Sequence, residues 1–181
     1  MTINASMINY MMNYITKDDT IIFAPHFNDK LDANLLLKFN KLIFSNYKLN
    51  DELFEAFENN ELFEAYENDN FYPKYICSKF NQEVNNLPQN ITHLTFGKNF
   101  NQEVFNLPQN ITHLTFDHNF NQEVFNLPQN ITHLVFGDHF NKEVNYLPQN
   151  ITHLTFSTCF NQKVNYLPNS IKELKINCYF N

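Results

Sequence analysis

The chain of 181 residues contains no Trp, no Arg, only 2 Gly and only 3 Cys. Each shortage removes a class of protein. Without Arg, and with a formal charge of −7, the chain lacks both a fork-shaped phosphate donor and a basic stripe, which argues against a nucleic-acid partner. Cys77, Cys159 and Cys178 are too few and too irregularly spaced for a disulfide framework or a zinc site, so they read as reduced, small apolar packing residues. The two glycines, Gly97 and Gly137, make no phosphate-cradling loop, and no nucleophile elbow or metalloprotease helix motif occurs. The sequence therefore predicts no enzyme and no cofactor. No apolar run approaches the roughly 18 residues of a membrane helix. Residues 1–13 also lack the basic region of a signal peptide, so an intracellular, cytoplasmic protein without a membrane partner is expected.

What is abundant is Phe (20), Tyr (9) and Asn (32). Because AT-rich codons serve all three, the excess carries no functional weight by itself. Its arrangement does. From Phe80 the sequence repeats every 20 residues, with Phe-Asn openings at Phe80, Phe100, Phe120, Phe140 and Phe160 and a further opening at Phe180. The unit FNQEVFNLPQNITHLTFDHN has apolar residues at Phe100, Val104, Leu107, Ile111, Leu114 and Phe116. The last spacing is 2, the strand period, which puts Leu114 and Phe116 inward and His113 and Thr115 outward. A five-residue apolar period, as in pentapeptide solenoids, fails. The stretch Ile111 to Asn119 instead follows the leucine-rich pattern L-x-x-L-x-L-x-x-N/C.

The Phe-Asn openings, the Leu-Pro pairs (Leu87-Pro88, Leu107-Pro108, Leu127-Pro128, Leu147-Pro148, Leu167-Pro168) and the I-x-x-L-x-F that follows resemble FNIP repeats over residues 80–181. That family is leucine-rich-repeat-like and occurs mainly in amoebae and large DNA viruses, so for a viral chain the resemblance implies the host cytoplasm. The fold class expected is a leucine-rich-repeat-like solenoid. Each 20–22-residue coil should hold one short parallel strand, with mostly turn or irregular structure on the other side.

Residues 1–79 can be aligned in the same phase. Thr20–Leu31 matches His133–Val144, placing Phe27-Asn28 at a Phe-Asn opening, and Lys41–Leu53 matches with Leu49-Asn50 there. Between them and Phe80, ELFEAFENN (52–60) is followed by its near copy ELFEAYEND (61–69), and residues 51–69 carry eight acids and no Lys. The insertion has helix-forming composition, while a tandem slip within a loop is the competing account. The division is thus 1–79, diverged N-terminal repeats with an acidic insertion at 51–69, and 80–181, five regular repeats plus the start of a sixth. The phase predicts eight rungs, at 20–23, 41–44, 74–77, 93–96, 113–116, 133–136, 153–156 and 173–176.

Two kinds of column follow. An asparagine ladder is expected at Asn81, Asn101, Asn121, Asn141 and Asn161, where side-chain amides can satisfy backbone groups stranded at a bend. The outward columns form a hydrogen-bonding strip expected to bind a partner: His93, His113, His133, His153 and Glu173; beside them Thr95, Thr115, Val135, Thr155 and Lys175; and then Asp117 in the column after the strand. A metal at the stacked imidazoles is not expected, because parallel side chains about 4.8 Å apart do not converge tetrahedrally. An ice-binding face is disfavoured because Thr92 and Thr95 have opposite strand parity. Mutual repulsion of the imidazoles predicts stability that falls as pH drops below about 6.5. The functional expectation is a non-enzymatic scaffold binding an unknown protein through the sheet face, with end-to-end self-association at an uncapped C-terminal coil. The family resemblance offers an alternative, the substrate-recognition subunit of a ubiquitin ligase with a missing or degenerate F-box. That helical module would need the room which the early repeats occupy.

Overall fold

The structure is a computed structural model describing residues 14–17, 19–23, 31–44 and 78–177. Eight strands make one sheet in chain order: β1 (Tyr14–Lys17), β2 (Thr20–Phe23), β3 (Lys41–Phe44), β4 (His93–Thr95), β5 (His113–Thr115), β6 (His133–Val135), β7 (His153–Phe156) and β8 (Glu173–Ile176). From β2 to β8 every pairing is parallel and unshifted, so residue 20 lies on 41, 41 on 93, and each later position on its equivalent 20 residues back. Each coil thus returns to the place it left, one strand spacing along, as expected for a leucine-rich-repeat-like solenoid.

Strand parity sorts the side chains. Leu94, Leu114, Leu134 and Leu154 are all at most 1% exposed, while the His before each and the Thr, or Val135, after each are half-buried. Phe and the other apolar repeat positions close the inside as two stacks of rings. One runs through Phe23, Phe44, Phe96, Phe116, Phe136 and Phe156, at centroid spacings from 4.9 to 5.8 Å. The other runs from Phe80 through Phe100, Phe120 and Phe140 to Phe160, at 6.1 to 6.2 Å. Within a coil the stacks touch, as at Phe96–Phe100 and Phe116–Phe120, both 3.7 Å. The Pro carbonyl of each Leu-Pro pair closes a turn, accepting the N–H three residues on, as from Ile111 to Pro108 (3.2 Å). The missing Pro N–H is no loss at that point.

Glycine has a defined task at two places. A Cβ on Gly137 would lie 2.3 Å from the Asp117 carbonyl carbon, and one on Gly97 would lie 2.3 Å from Ser78 Cβ and 2.6 Å from the Phe44 carbonyl oxygen. Successive coils approach too closely there for a side chain.

The N-terminal third departs from the sequence phase. β3 pairs directly with β4, so no rung lies between them where one was expected at 74–77. Phe80 stacks on Phe44 at 4.0 Å, the contact made elsewhere by two phenylalanines of one coil. Phe80 therefore takes the Phe-Asn place in the coil that runs from β3 to β4. Residues 45–77, including the 51–69 insertion, its expected helix and the 74–77 segment, lie outside the described residues, as do Asn28 and Asn50. β1 was not expected at all: it pairs antiparallel with β2, Tyr14 opposite Phe23, and covers the first parallel strand. Among the described residues between β2 and β3 there is a helical turn, α1 (Ala33–Leu36). Asp32 Oδ1 caps it by accepting the Asn34 N–H at 2.9 Å.

Candidate functional site

The outward sheet face is assembled by the unshifted register. Its first column reads Lys41, His93, His113, His133, His153, Glu173, and its second Ile43, Thr95, Thr115, Val135, Thr155, Lys175. The imidazoles of His93, His113, His133 and His153 stack with centroids 4.2 Å apart and planes within 10°. One flank of each ring is held by the preceding threonine: the hydroxyls of Thr92, Thr112, Thr132 and Thr152 lie 2.9 Å from the neighbouring Nδ1. The row therefore has one rotamer and one direction, with Nε2 on the ring edge away from the threonine.

Both ends of the row carry charge. Lys41 Nζ pairs with Asp19 Oδ1 at 3.3 Å, Lys175 Nζ with Glu173 Oε1 at 2.7 Å, and the other oxygen of Glu173 faces His153 Nε2 at 3.7 Å. Burial, together with the positive neighbours His93, His133, His153 and Lys41, lowers the His113 pKa to about 4. His93 is lowered by burial and by Lys41, against the opposing pull of Asp19. His133 is lowered by burial and by His153, against Glu173. At neutral pH these three imidazoles are uncharged.

The column after the strand holds Asp117 and Ser157, and beside it lies a cluster the sequence reasoning passed over. Asp138 Oδ2 takes His118 Nδ1 at 2.8 Å, its Oδ1 accepts the Ser157 hydroxyl, and the His139 ring sits 4.3 Å from that of His118. Hydrogen bonding from Ser157 and the charge of His118 hold the Asp138 carboxyl below the ordinary range. The hydroxyl of Ser157 donates to the Asp138 carboxylate, while His118 meets the other oxygen of that carboxylate. Cys159, considered with His139 and His153 as a paired nucleophile, is exposed, and its thiol contacts Thr158 Oγ1 at 4.0 Å. Among the described residues no three His, Cys, Asp or Glu side chains are grouped to hold a metal ion.

The asparagine columns lie off the sheet face. Asn81, Asn101, Asn121 and Asn141 each accept, through Oδ1, the backbone N–H of the asparagine in the next coil, at 2.8 to 2.9 Å. Asn161 is the donor at the end of this line. A second column went unnoticed in the sequence: Asn110, Asn130 and Asn150 donate their amides to the carbonyls of Gln89, Gln109 and Gln129 at 2.7 to 2.9 Å. Its signal was present as the Asn that precedes Ile91, Ile111, Ile131 and Ile151; before Ile171 the residue is Ser170, whose hydroxyl donates to the Gln149 carbonyl instead. Also missed were the aromatic residues in the turns after Val104, Val124, Val144 and Val164: Phe105 and Phe125, with Tyr146 and Tyr166 one place on, all exposed.

Comparison with known proteins agrees with this architecture. The sequence pattern of the FNIP repeat matches residues 80–104, 123–159 and 143–179. The chain is a FNIP repeat-containing protein. Among solved structures, its fold is similar to CroV588, described as a novel circular LRR protein, with TM-score 0.65 and 36% identity over 88% of this chain. The FNIP chain spans 20% of that protein's length. No curated protein matches it. No helix among the described residues is long and apolar enough to cross a membrane.

Proposed function

We propose that this FNIP-repeat solenoid is a non-enzymatic scaffold that binds another protein through the outward sheet face. The observation that carries the reading is the histidine row: four rings in one rotamer, stacked at 4.2 Å and half-exposed. Such a row is ordered before any partner arrives, so binding loses little side-chain entropy. Thr95, Thr115 and Thr155 add hydroxyls beside it, Val135 an apolar patch, and Asp117 an acid at the strip's margin. The ubiquitin-ligase alternative draws no support from the N-terminal segment, because residues 14–44 contribute three strands to the sheet. Affinity capture from cell lysate tests the face by comparing the intact chain with a variant carrying His113→Glu, Thr115→Glu, His133→Glu and His153→Glu. Loss of specific partners is expected, and an unchanged partner list would sink the reading.

A different observation supports a second surface at the last coil. Val164 and Leu174 are 39% and 42% exposed, while their equivalents Val144 and Leu154 are 2% and 1%. β8 is the edge of the sheet among the described residues, and its unpaired backbone offers a docking line for another copy of the chain.

A further inference from the structure

Each threonine hydroxyl beside the histidine row has one proton and two neighbours that could accept it. Thr112 Oγ1 lies 2.9 Å from His113 Nδ1 and 3.2 Å from the Thr92 carbonyl oxygen, and Thr132 and Thr152 repeat the pattern. That carbonyl is already occupied. Thr92 O accepts the N–H groups of Thr112 and His113 at 2.8 and 3.1 Å, which uses both of its lone pairs, and Asn40, Thr112 and Thr132 serve the next strand in the same way. The hydroxyl proton therefore goes to the nearer and free acceptor, Nδ1. A neutral imidazole that accepts at Nδ1 carries its own proton on Nε2.

The end of the row shows the same polarity. Glu173 stands where the next imidazole would be, and its Oε2 lies 3.7 Å from His153 Nε2. Glu173 is held by Lys175 at 2.7 Å, and the side of His153 that it faces is the Nε2 edge, where an N–H would be favourable. Lys41 and Lys175, the cations bordering the strip, each have a carboxylate, Asp19 and Glu173. The middle of the row has none.

We infer that the threonine hydroxyls fix His93, His113 and His133 as Nε2–H tautomers, so that the sheet face is a row of outward N–H donors that receives the carboxylates of an acidic segment in a partner protein. The inference rests on the sheet face being the binding surface, and it adds the partner's chemistry. Arriving carboxylates, unlike Lys41 or the neighbouring rings, favour the charged imidazole, so binding takes up protons and tightens as pH falls.

Two measurements on the full chain test this. Long-range proton–nitrogen NMR of the imidazoles at about pH 7.5, where the row is neutral, should report Nε2–H for His93, His113 and His133. Thr112→Val and Thr132→Val should mix the tautomers. Titration with a soluble peptide alternating Glu and Thr should then show binding that weakens about tenfold in His113→Phe/His133→Phe, which keeps the stack and removes the donors. The same binding should strengthen between about pH 7.5 and about pH 6. Nδ1–H tautomers overturn the inference and leave the sheet-face reading standing. So does a peptide alternating Lys and Thr that binds in preference and with the same histidine dependence. Nε2–H tautomers with neither peptide sensitive to the histidines overturn the partner assignment together with the sheet-face reading.

Discussion

A histidine inside this row has an imidazole above it, another below it and a threonine at one edge, so water reaches it mainly from the outer edge. Protonating it costs lost hydration and repulsion from the next rings, so burial comes first and charge second in lowering the His113 pKa to about 4. The unfolded chain feels neither effect and titrates near 6.5. Above that pH both states are neutral and stability is intact. Below it the unfolded state binds protons that the folded row refuses, so stability falls as pH drops through the interval down to about 4. Thermal melts should show a midpoint that declines between about pH 7.5 and about pH 5, with the decline reduced in His113→Phe/His133→Phe. A midpoint independent of pH across that range contradicts the account. The columns themselves were legible in the sequence, because an exact 20-residue spacing puts equal residues at equal places. The threonine contacts were not, since Thr92 and its equivalents have inward parity by simple alternation and the bend before the strand turns their hydroxyls to the rings.

At the scale of the coil, the two phenylalanine stacks hold the rungs together. Phe120 is fully buried, 3.7 Å from Phe116 and 6.1 Å from both Phe100 and Phe140, so its loss opens a cavity shared by three coils. Phe120→Ala should destabilise by about 3–5 kcal/mol, read as a lowered urea midpoint. Phe105→Ala, at an exposed turn, should change it by less than about 0.5 kcal/mol. Equal effects would show that the stacks do not carry the core. From Phe80 onward strand positions were legible because inward Leu and Phe alternate with outward His and Thr. The rung at 74–77 was misplaced for a physical reason: subtracting the duplicated 9-residue segment restored a plausible coil length, but length does not say which strand pairs with which. Ring contact does, and Phe80 belongs with Phe44. β1 escaped notice because an antiparallel hairpin strand has no equivalent in the repeat to align with.

At the scale of the whole molecule the two ends of the sheet differ. β1 and β8 are its two edge strands among the described residues, the first antiparallel to its neighbour, and the coil of β8 leaves the apolar side chains of Val164 and Leu174 open. Antiparallel pairing of two β8 strands must oppose residues of like parity to keep both apolar faces on one side. Centred on Leu174, that register sets Glu173 of each copy against Lys175 of the other, whereas centring on Lys175 would oppose like charges. Sedimentation across a range of concentrations should therefore reveal dimers. Glu173→Lys alone should weaken them, and the swap Glu173→Lys/Lys175→Glu should restore them. A monomer at every concentration, or no recovery in the swap, refutes this pairing.

The sameness of the regular coils has one more consequence. Phe100, Phe120 and Phe140 stand 6.1 Å apart in near-parallel planes, so each of these coils meets the next through the same ring contact. Removing 120–139 would join Asn119 to Phe140 and leave the phenylalanine stacks in phase, although it also removes Gly137 and Asp138 and brings Ser157 against Asp117. Gene slippage in steps of 60 bases thus changes how tall the stack is while its phenylalanine core stays in phase, so the number of coils can drift, or be selected to match the length of whatever lies along the sheet, without a new core having to evolve.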